Sequence, residues 1–560
     1  MSSVRAMVLA VVTLACIAPR AWAQPRAATE RGSFLSEIFV GSVPENYLRY
    51  LQTTGLVPLY PWSSRQFSPR EIDRLLPEDS AHPWRGRFVA ADSSRGFRYG
   101  IVAPFTNSRY NTGSPYGSGD GPVWAGRGLT SSIQLGASAR YGPVSLTIAP
   151  LAFWAENRSF FLVPTGSTGN AVFGNLLLGI DRPERFGDNS YWLIDPGQST
   201  IRLDLPIVSA GVSTANMGWG PGTEYPLLLG NNASGFPHLF VGSSEPLDVY
   251  IAKLHGRVIW GRLAQSPFSP VTGSQLYTSR FEPGRKRFAS GILLTAQPRG
   301  MTGLEIGAGR FFHSIWPRSG IPRSYWTKPF QAFLKKDLEP EAPLDPRLPP
   351  GGRGIADNQL LEVFARWVLP RSGFEISAEY GRDDHNEDAR DLLLEPDHSR
   401  FYNIGLRKVL STNARSMTAA RVEVINFQLP QLSNARGEGE IYVHGLIRQG
   451  HTQRGQLLGA DVGVGAAAGS TVAVDRFVAN GRWTASWKRE VRAEIGDYNL
   501  TGVLRPRAMD VTHALGFEMT RFINQFDVTG GLTFVREFNR YFIADASNIS
   551  AVIGVRYTGY

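Results

Sequence analysis

The chain predicts an all-β fold, one large antiparallel transmembrane β-barrel of about 16 to 20 strands with a small helical element near its N-terminus. Three observations predict it. Apolar and polar residues alternate with period two from about Phe97 to Tyr560, with no shift of composition and no linker. Charged residues are 19% and hydrophobic residues 42% of 560, with 60 Gly and 37 Pro, which excludes disordered, collagen-like and coiled-coil chains. After the N-terminus no apolar run approaches the ~18 residues of a spanning helix, so a polytopic helical membrane protein is excluded and a membrane barrel is not.

The first residues read as an export signal. Met1 to Arg5 form a basic start, Ala6 to Ala18 an apolar stretch, and Ala21-Trp22-Ala23 a small-x-small cleavage site, so Gln24 opens the mature chain. Cys16, the one cysteine, lies inside that segment, and Thr13-Leu14-Ala15 ahead of it make a poor lipoprotein signal. Removal of 23 residues, which include Arg5 and Arg20 but no acid, leaves 537 residues without cysteine and a net charge of +8. Neither a disulfide framework nor a thiolate metal site is then available, and the charge is a mild bias towards anionic partners. The organisation expected is a signal peptide over 1–23, a periplasmic helical segment over 24–95 and the barrel over 96–560.

Within the helical segment, Pro44-Glu45 opens a pattern in which Tyr47, Leu48, Tyr50 and Leu51 recur at three and four, closed by Gly55. A second short helix starts at Ser68-Pro69, with Ile72, Leu75 and Leu76 as its apolar face before Pro77. Together they read as a packed appendage at the barrel mouth.

Strands follow. Ile133, Leu135, Ala137 and Ala139 alternate with Ser132, Gln134, Ser138 and Arg140, and Tyr141-Gly142-Pro143 turns into Val144, Leu146 and Ile148. The same dyad returns in Leu361/Val363/Ala365/Trp367/Leu369, Phe374/Ile376/Ala378/Tyr380, Val511/Leu515/Phe517/Met519 and Ile549/Ala551/Ile553/Val555/Tyr557. One closed barrel, with lipid outside and water inside, accounts for such strands more simply than paired sandwich cores. Ser314 to Asn358, rich in Pro and aromatic residues, reads as an outer or lumen-folded loop.

One block stands out: Met217-Gly218-Trp219-Gly220-Pro221-Gly222, then Pro226-Leu227-Leu228-Leu229, then Asn231-Asn232-Ala233-Ser234-Gly235-Phe236-Pro237-His238. It resembles the signature region of the Wzi-type capsule-assembly proteins. Tyr47-Leu48-Arg49-Tyr50-Leu51-Gln52 with Gly55 is similar to that family's helical start, and Phe374 to Gly381 with Pro396-Asp397-His398 to a later strand and loop. The resemblance implies an 18-stranded outer-membrane barrel of a diderm bacterium, a periplasmic helical element, and lectin-like attachment of capsular polysaccharide. On the residues alone the block has two readings, a carbohydrate contact or a structural loop folded into the lumen.

Sugar recognition needs aromatic faces and planar polar groups. Trp124, Trp316, Tyr325, Trp326 and Lys328, in loops rich in Pro and Arg, are the candidate polysaccharide contacts, against local loop packing as the other reading. Trp483 and Trp487 read as membrane anchors. The run Gly381 to Asp388 lacks the spacing of a calcium loop and reads as solvated surface. Glu375 and Glu379 share a strand face ~13 Å apart, too far for a glycosidase acid pair. The chain has no Gly-x-Ser-x-Gly elbow, no His-Glu-x-x-His and no phosphate loop, and Gly463-Val-Gly465 reads as backbone crowding. The expectation is a non-enzymatic binder with no catalytic residue, metal or cofactor. Its expected partners are surface polysaccharide, outer-membrane lipids and the barrel-assembly machinery, with no nucleic acid, and a diffusion porin is the alternative.

Overall fold

The computed structural model describes residues 34–77, 81–88, 96–164, 166–174, 180–271, 286–317, 320–334, 357–383, 388–428, 441–444, 447–462, 467–493 and 509–559. The signal segment, Gly463-Val-Gly465, residues 384–387 of the acidic run and 318–319 and 335–356 of the Pro-rich stretch lie outside the described residues.

Eighteen antiparallel staves close into one barrel, the last, Ala544–Tyr557, pairing with the first, Phe97–Asn111, from Phe105↔Arg556 to Asn111↔Ser550. Three staves are interrupted near prolines, which cannot donate to a ladder: at Pro150, at Pro196-Gly197 and at Pro246. Gly197 is fixed there twice over, by φ +59° and by the Ala149 carbonyl, which stands 2.2 Å from where a Cβ would be.

Alternation is inverted relative to a soluble protein. On Asp357–Leu369, Val363 is 47% exposed and faces outward, while its neighbour Glu362 is fully buried inside. Leu515, Phe517, Leu532, Phe534 and Ile553 repeat the outward pattern, as an outer surface immersed in hydrocarbon requires. Among the described residues no helix is long and apolar enough to cross a membrane. Short turns, such as 142–143, 370–373, 413–415 and 524–525, collect at the end that also holds both barrel termini; long loops collect at the other. In outer-membrane barrels the short turns are periplasmic.

The N-terminal segment enters from the turn end. Helix α1, Val43–Thr53, starts where the Ser42 hydroxyl accepts from Glu45 N at 3.3 Å, and Gly55 beyond it takes φ +75°. Helix α2, Pro69–Arg74, has a full capping box between Ser68 and Glu71. It stops before Leu75 and Leu76, because Pro77 disfavours helical geometry in the residue ahead of it. Tyr47, Leu48, Tyr50 and Leu51 are buried with Trp84 against Val409, Met417, Phe477 and Phe522 of the wall. The segment is therefore docked into the barrel end by its own apolar face.

Candidate functional site

The segment after Val208–Ser213 turns inward and fills the lumen. Gly218-Trp219 pairs with Ser64-Arg65, so an insertion from the loop end meets the N-terminal segment inside the barrel. Wall carboxylates hold both. Glu423 accepts the amides of Thr223, Glu224 and Tyr225 at 3.1, 3.2 and 2.7 Å, and Glu379 accepts Gly222 N. Glu305 accepts Trp62 N and Ser63 N, each at 2.9 Å. Glu375 takes Arg49 Nη2 at 2.6 Å and Arg366 Nη2 at 2.7 Å, while Arg49 Nη1 reaches the Pro221 carbonyl at 2.8 Å. Charge-assisted bonds of this kind fix position more than neutral ones do. They leave a cavity of about 10 Å³ among Arg49, Pro221, Glu224, Arg407, Arg421 and Glu423, room for one water molecule.

Residues 441–444 and 447–462 form the next layer towards the loop end. Tyr442 donates to the Leu227 carbonyl at 2.6 Å, and Arg287 donates to the carbonyls of Gly450 and Thr452 at 2.5 and 2.6 Å. Tyr225, Leu227, Leu228, Leu229, Phe236 and Tyr442 make one apolar core with wall residues Phe311, Phe364 and Phe401. A plug with its own hydrophobic core thus occupies the half of the lumen lined by strands from His238–Ser243 to Ala467–Val478.

His451 Nε2 faces the Leu228 carbonyl at 2.6 Å and so carries the proton, leaving Nδ1 to accept from His313 Nε2 at 2.8 Å. Burial pushes the His451 pKa down to about 3, against about 6.5 in an unfolded chain. Stability from this neutral ring is complete above pH ~6.5 and is lost as pH falls towards 3. Asp181, raised to about 6 by burial, has the opposite sign and softens the loss between about 4 and 6. Proteolysis within 447–462 should increase on acidification from pH 7 to below 4, and His451→Gln should remove part of that increase, because buried His313, held neutral in the same direction, remains; an identical profile in the variant would refute it.

Among the described residues, small and charged groups line the other half of the lumen. Across Gly481–Ala493, Met509–Ile523 and Phe526–Arg540, the inward positions Ser486, Gly516 and Thr533 are small and half-buried. Half-buried ion pairs line the same side: Arg182–Asp461 at 2.5 Å, Arg492–Asp510 at 3.6 Å, Lys488–Glu490 at 2.6 Å, Arg109–Asp120 at 3.2 Å and Arg482–Glu518. They form a charged lane running beside the plug.

The residues singled out in the sequence fall into three places. Trp219, Gly220, Pro221, Gly222, Asn232, Phe236 and His238 are buried in the lumen. Gly220 has φ +78°, and a Cβ on Gly222 would stand 2.6 Å from Asn403 Nδ2, so the carboxylate clamp admits only glycine there. Asn231 and Asn232 tie the plug to the loop at 112–127, through Gly119 O at 2.6 Å and Gly119 N at 2.9 Å. Gly235 sits against the Thr214 carbonyl, Pro237 is exposed and accepts Arg262 N at 3.0 Å, and His238 Nδ1 bonds the Phe236 carbonyl at 2.8 Å. Trp124 lies at the loop-end mouth, 4.9 Å from Phe186, which stacks on Tyr191 at 4.7 Å. Trp316, Tyr325 and Trp326 gather elsewhere, around Phe288 on the outer wall, and Tyr325 and Lys328 are buried, the latter paired with Asp357.

Sequence reasoning passed over Glu305, Glu423, Asn403 and Arg287 as site residues. The available signal was their type, charged or amide groups on the inward positions of membrane strands, where they are retained only with partners.

An apolar outer belt, eighteen staves and a lumen half occupied by inserted segments define an outer-membrane β-barrel of the plugged kind. Its fold is similar to that of Wzi from Escherichia coli, described as an outer membrane protein involved in group 1 capsule assembly and a carbohydrate-binding β-barrel. The match has a TM-score of 0.59 and 13% identity, and covers 93% of this chain and 99% of that one. Looser matches are OprD of Pseudomonas aeruginosa, with a TM-score of 0.39, 8% identity and coverage of 83% and 95%, and OccAB3 of Acinetobacter baumannii, with 0.36, 10% and coverage of 81% and 98%. No family model and no curated protein sequence matches the chain. At these identities the likeness is one of fold.

Proposed function

We propose that the protein is a non-enzymatic binder of polysaccharide that organises or anchors capsular or other extracellular glycan at the cell surface. The observation that carries this reading is the division of labour in the lumen: folded-in segments occupy half of it, and the loop-end mouth above them holds two half-buried aromatic rings beside paired charges. Half-buried Trp124 and Tyr191 are the rings at that mouth, both packed on buried Phe186, with Arg454–Asp195 at 2.6 Å beside Tyr191. Aromatic faces suit the C–H side of a sugar ring, and planar guanidinium and carboxylate groups suit its hydroxyls. The fold-level likeness to a carbohydrate-binding barrel supports the same reading. In this scheme residues 24–95 are the periplasmic element and 96–560 the surface-presenting barrel. Glu375 and Glu379 serve as clamps on backbone and guanidinium groups, which fits a protein without covalent chemistry.

Each contact is weak, so a polymer engages through many repeats at once. Glycan-array binding of the refolded protein is the test. Trp124→Ala should weaken the signal for the bound polymer about tenfold, the scale of one lost stacking contact with its neighbours. Unchanged binding by both Trp124→Ala and Arg454→Ala would remove the mouth from consideration. The charged lane favours a second reading, slow diffusion of small solutes, which conductance separates from the first.

A further inference from the structure

The stretch 320–334, which the sequence offers as a sugar-facing loop, is instead draped over the outside of the barrel at its loop end. Phe311 and His313 pack into the lumen against Phe236 and His451, so their strand neighbours Arg310 and Phe312 face outward. Phe288, between lumen-facing Arg287 and Ala289, is outward for the same reason. These outward groups are covered by the stretch itself. Arg310 donates to the carbonyls of Gln331 and Ala332 at 2.7 and 3.2 Å and lies 4.1 Å from the Phe333 ring. Trp260 Nε1 donates to the Trp326 carbonyl at 2.9 Å, and buried Lys328 pairs with Asp357. The stretch is therefore bolted to the wall by polar bonds on its inner side.

Its outer side presents three large rings beside exposed Arg323, Ser324 and Thr327. Phe330 is 63%, Phe333 59% and Trp326 41% exposed, and on the same outward faces lower down the strands Leu294 and Ile306 belong to the lipid-facing belt. A patch of large aromatic side chains continuous with a lipid-facing surface belongs at the membrane interface, where such rings are enriched. Three exposed cations stand at its rim: Arg262, in register with Phe288; Lys286, two residues before Phe288; and Arg323, at the start of the helical turn Arg323–Thr327. Among the described residues none of the three is paired with a carboxylate.

We infer that this patch is a binding surface for a phosphate-bearing glycolipid of the outer leaflet, in which Trp326, Phe330 and Phe333 enter the acyl-chain boundary and Arg262, Lys286 and Arg323 take the headgroup phosphates. Aromatic insertion combined with basic headgroup contacts is the chemistry of interfacial anchors generally. The surface would fix the height and tilt of the barrel on one side, whatever glycan the mouth binds.

The sequence supplies a clean test, since Cys16 is its one cysteine. In full-length Cys16→Ser protein refolded into phosphatidylcholine vesicles with or without lipid A, a nitroxide is attached through Phe330→Cys. Oxygen should collide with it more often than an aqueous nickel chelate does, and lipid A should raise that preference. Arg262→Gln/Lys286→Gln/Arg323→Gln should weaken lipid A retention about a hundredfold, the scale of three lost interfacial cations, while heat-modifiable mobility shows the barrel still folded. A nitroxide that is fully accessible to the chelate, or lipid A retention unchanged in the triple variant, would overturn the inference.

Discussion

Glu375→Ala is expected to destabilise the folded protein by about 3–5 kcal/mol and to release the N-terminal segment, the scale seen when one member of a buried ion pair is removed. Glu375 is buried and bonded to two guanidinium groups, Arg49 from α1 and Arg366 from the wall, with Arg407 Nε 3.8 Å away. Thr53 adds a hydroxyl at 3.4 Å, and Arg366 also reaches Gln52 Oε1 at 2.6 Å. Without the carboxylate, Arg49 loses its ion-pair partner while buried, and Arg366 keeps only Glu305 at 3.5 Å. The cheapest relief is withdrawal of α1, which carries Arg49 back to water. Trypsin should then cut at Arg49, Arg65 or Arg87, which are buried in the docked segment, and the urea midpoint measured by heat-modifiable mobility should fall. Glu375→Gln, which keeps an acceptor but not the charge, should lose less. Combining Glu375→Ala with Arg49→Leu should restore part of the loss, because the second change removes the stranded charge. A wild-type midpoint and intact trypsin resistance in Glu375→Ala would show that packing of Tyr47, Leu48 and Leu51 holds the segment by itself.

The barrel was legible because two strict rules coincide in it. Side chains alternate with period two, and lipid admits only apolar groups, so Val363, Trp367, Leu515 and Phe517 mark the outer face without any knowledge of pairing. Helix starts were legible for local reasons: Pro44-Glu45 marks the first turn of α1, and Ser68 caps an amide three residues away in α2. The interior was not. Glu423 binds amides some two hundred residues earlier in the chain, and Arg287 binds carbonyls over a hundred and sixty residues later, so no local pattern reveals either clamp. The Gly-rich block around Trp219 signalled a crowded backbone, yet its partners, Glu379 and Asn403, belong to strands far away in sequence. The stretch from Trp316 to Lys328 illustrates a different limit. Its composition suits sugar, lumen or membrane interface alike, and what separates them is strand register, which puts Phe288 and Arg310 on the outer wall.

Register and plug together fix the expected electrical behaviour. An 18-stranded barrel without insertions leaves an aqueous channel, whereas here Trp219, Tyr225, Leu227, Leu228, Leu229 and Phe236 fill much of the section. In planar bilayers the intact protein should pass only a small current, carried by the lane of Arg492, Lys488, Arg109 and Arg482. Each of those cations has a carboxylate partner, so selectivity between anions and cations should be weak. Replacing 217–236 by a short Gly-Ser link should raise single-channel conductance by about tenfold or more, towards that of an unplugged barrel. Glu379 and Glu423 would then lose their amide partners, but water entering the lumen would solvate them, so the shell should survive the change. Glu423→Ala provides an independent route: it unpins Thr223, Glu224 and Tyr225 together, and should give frequent brief openings without deleting anything. Porin-sized conductance in the intact protein would sink the plugged reading and favour diffusion of small solutes. Small current in the intact protein with large current after either change would leave glycan binding at the mouth as the role that fits a closed barrel.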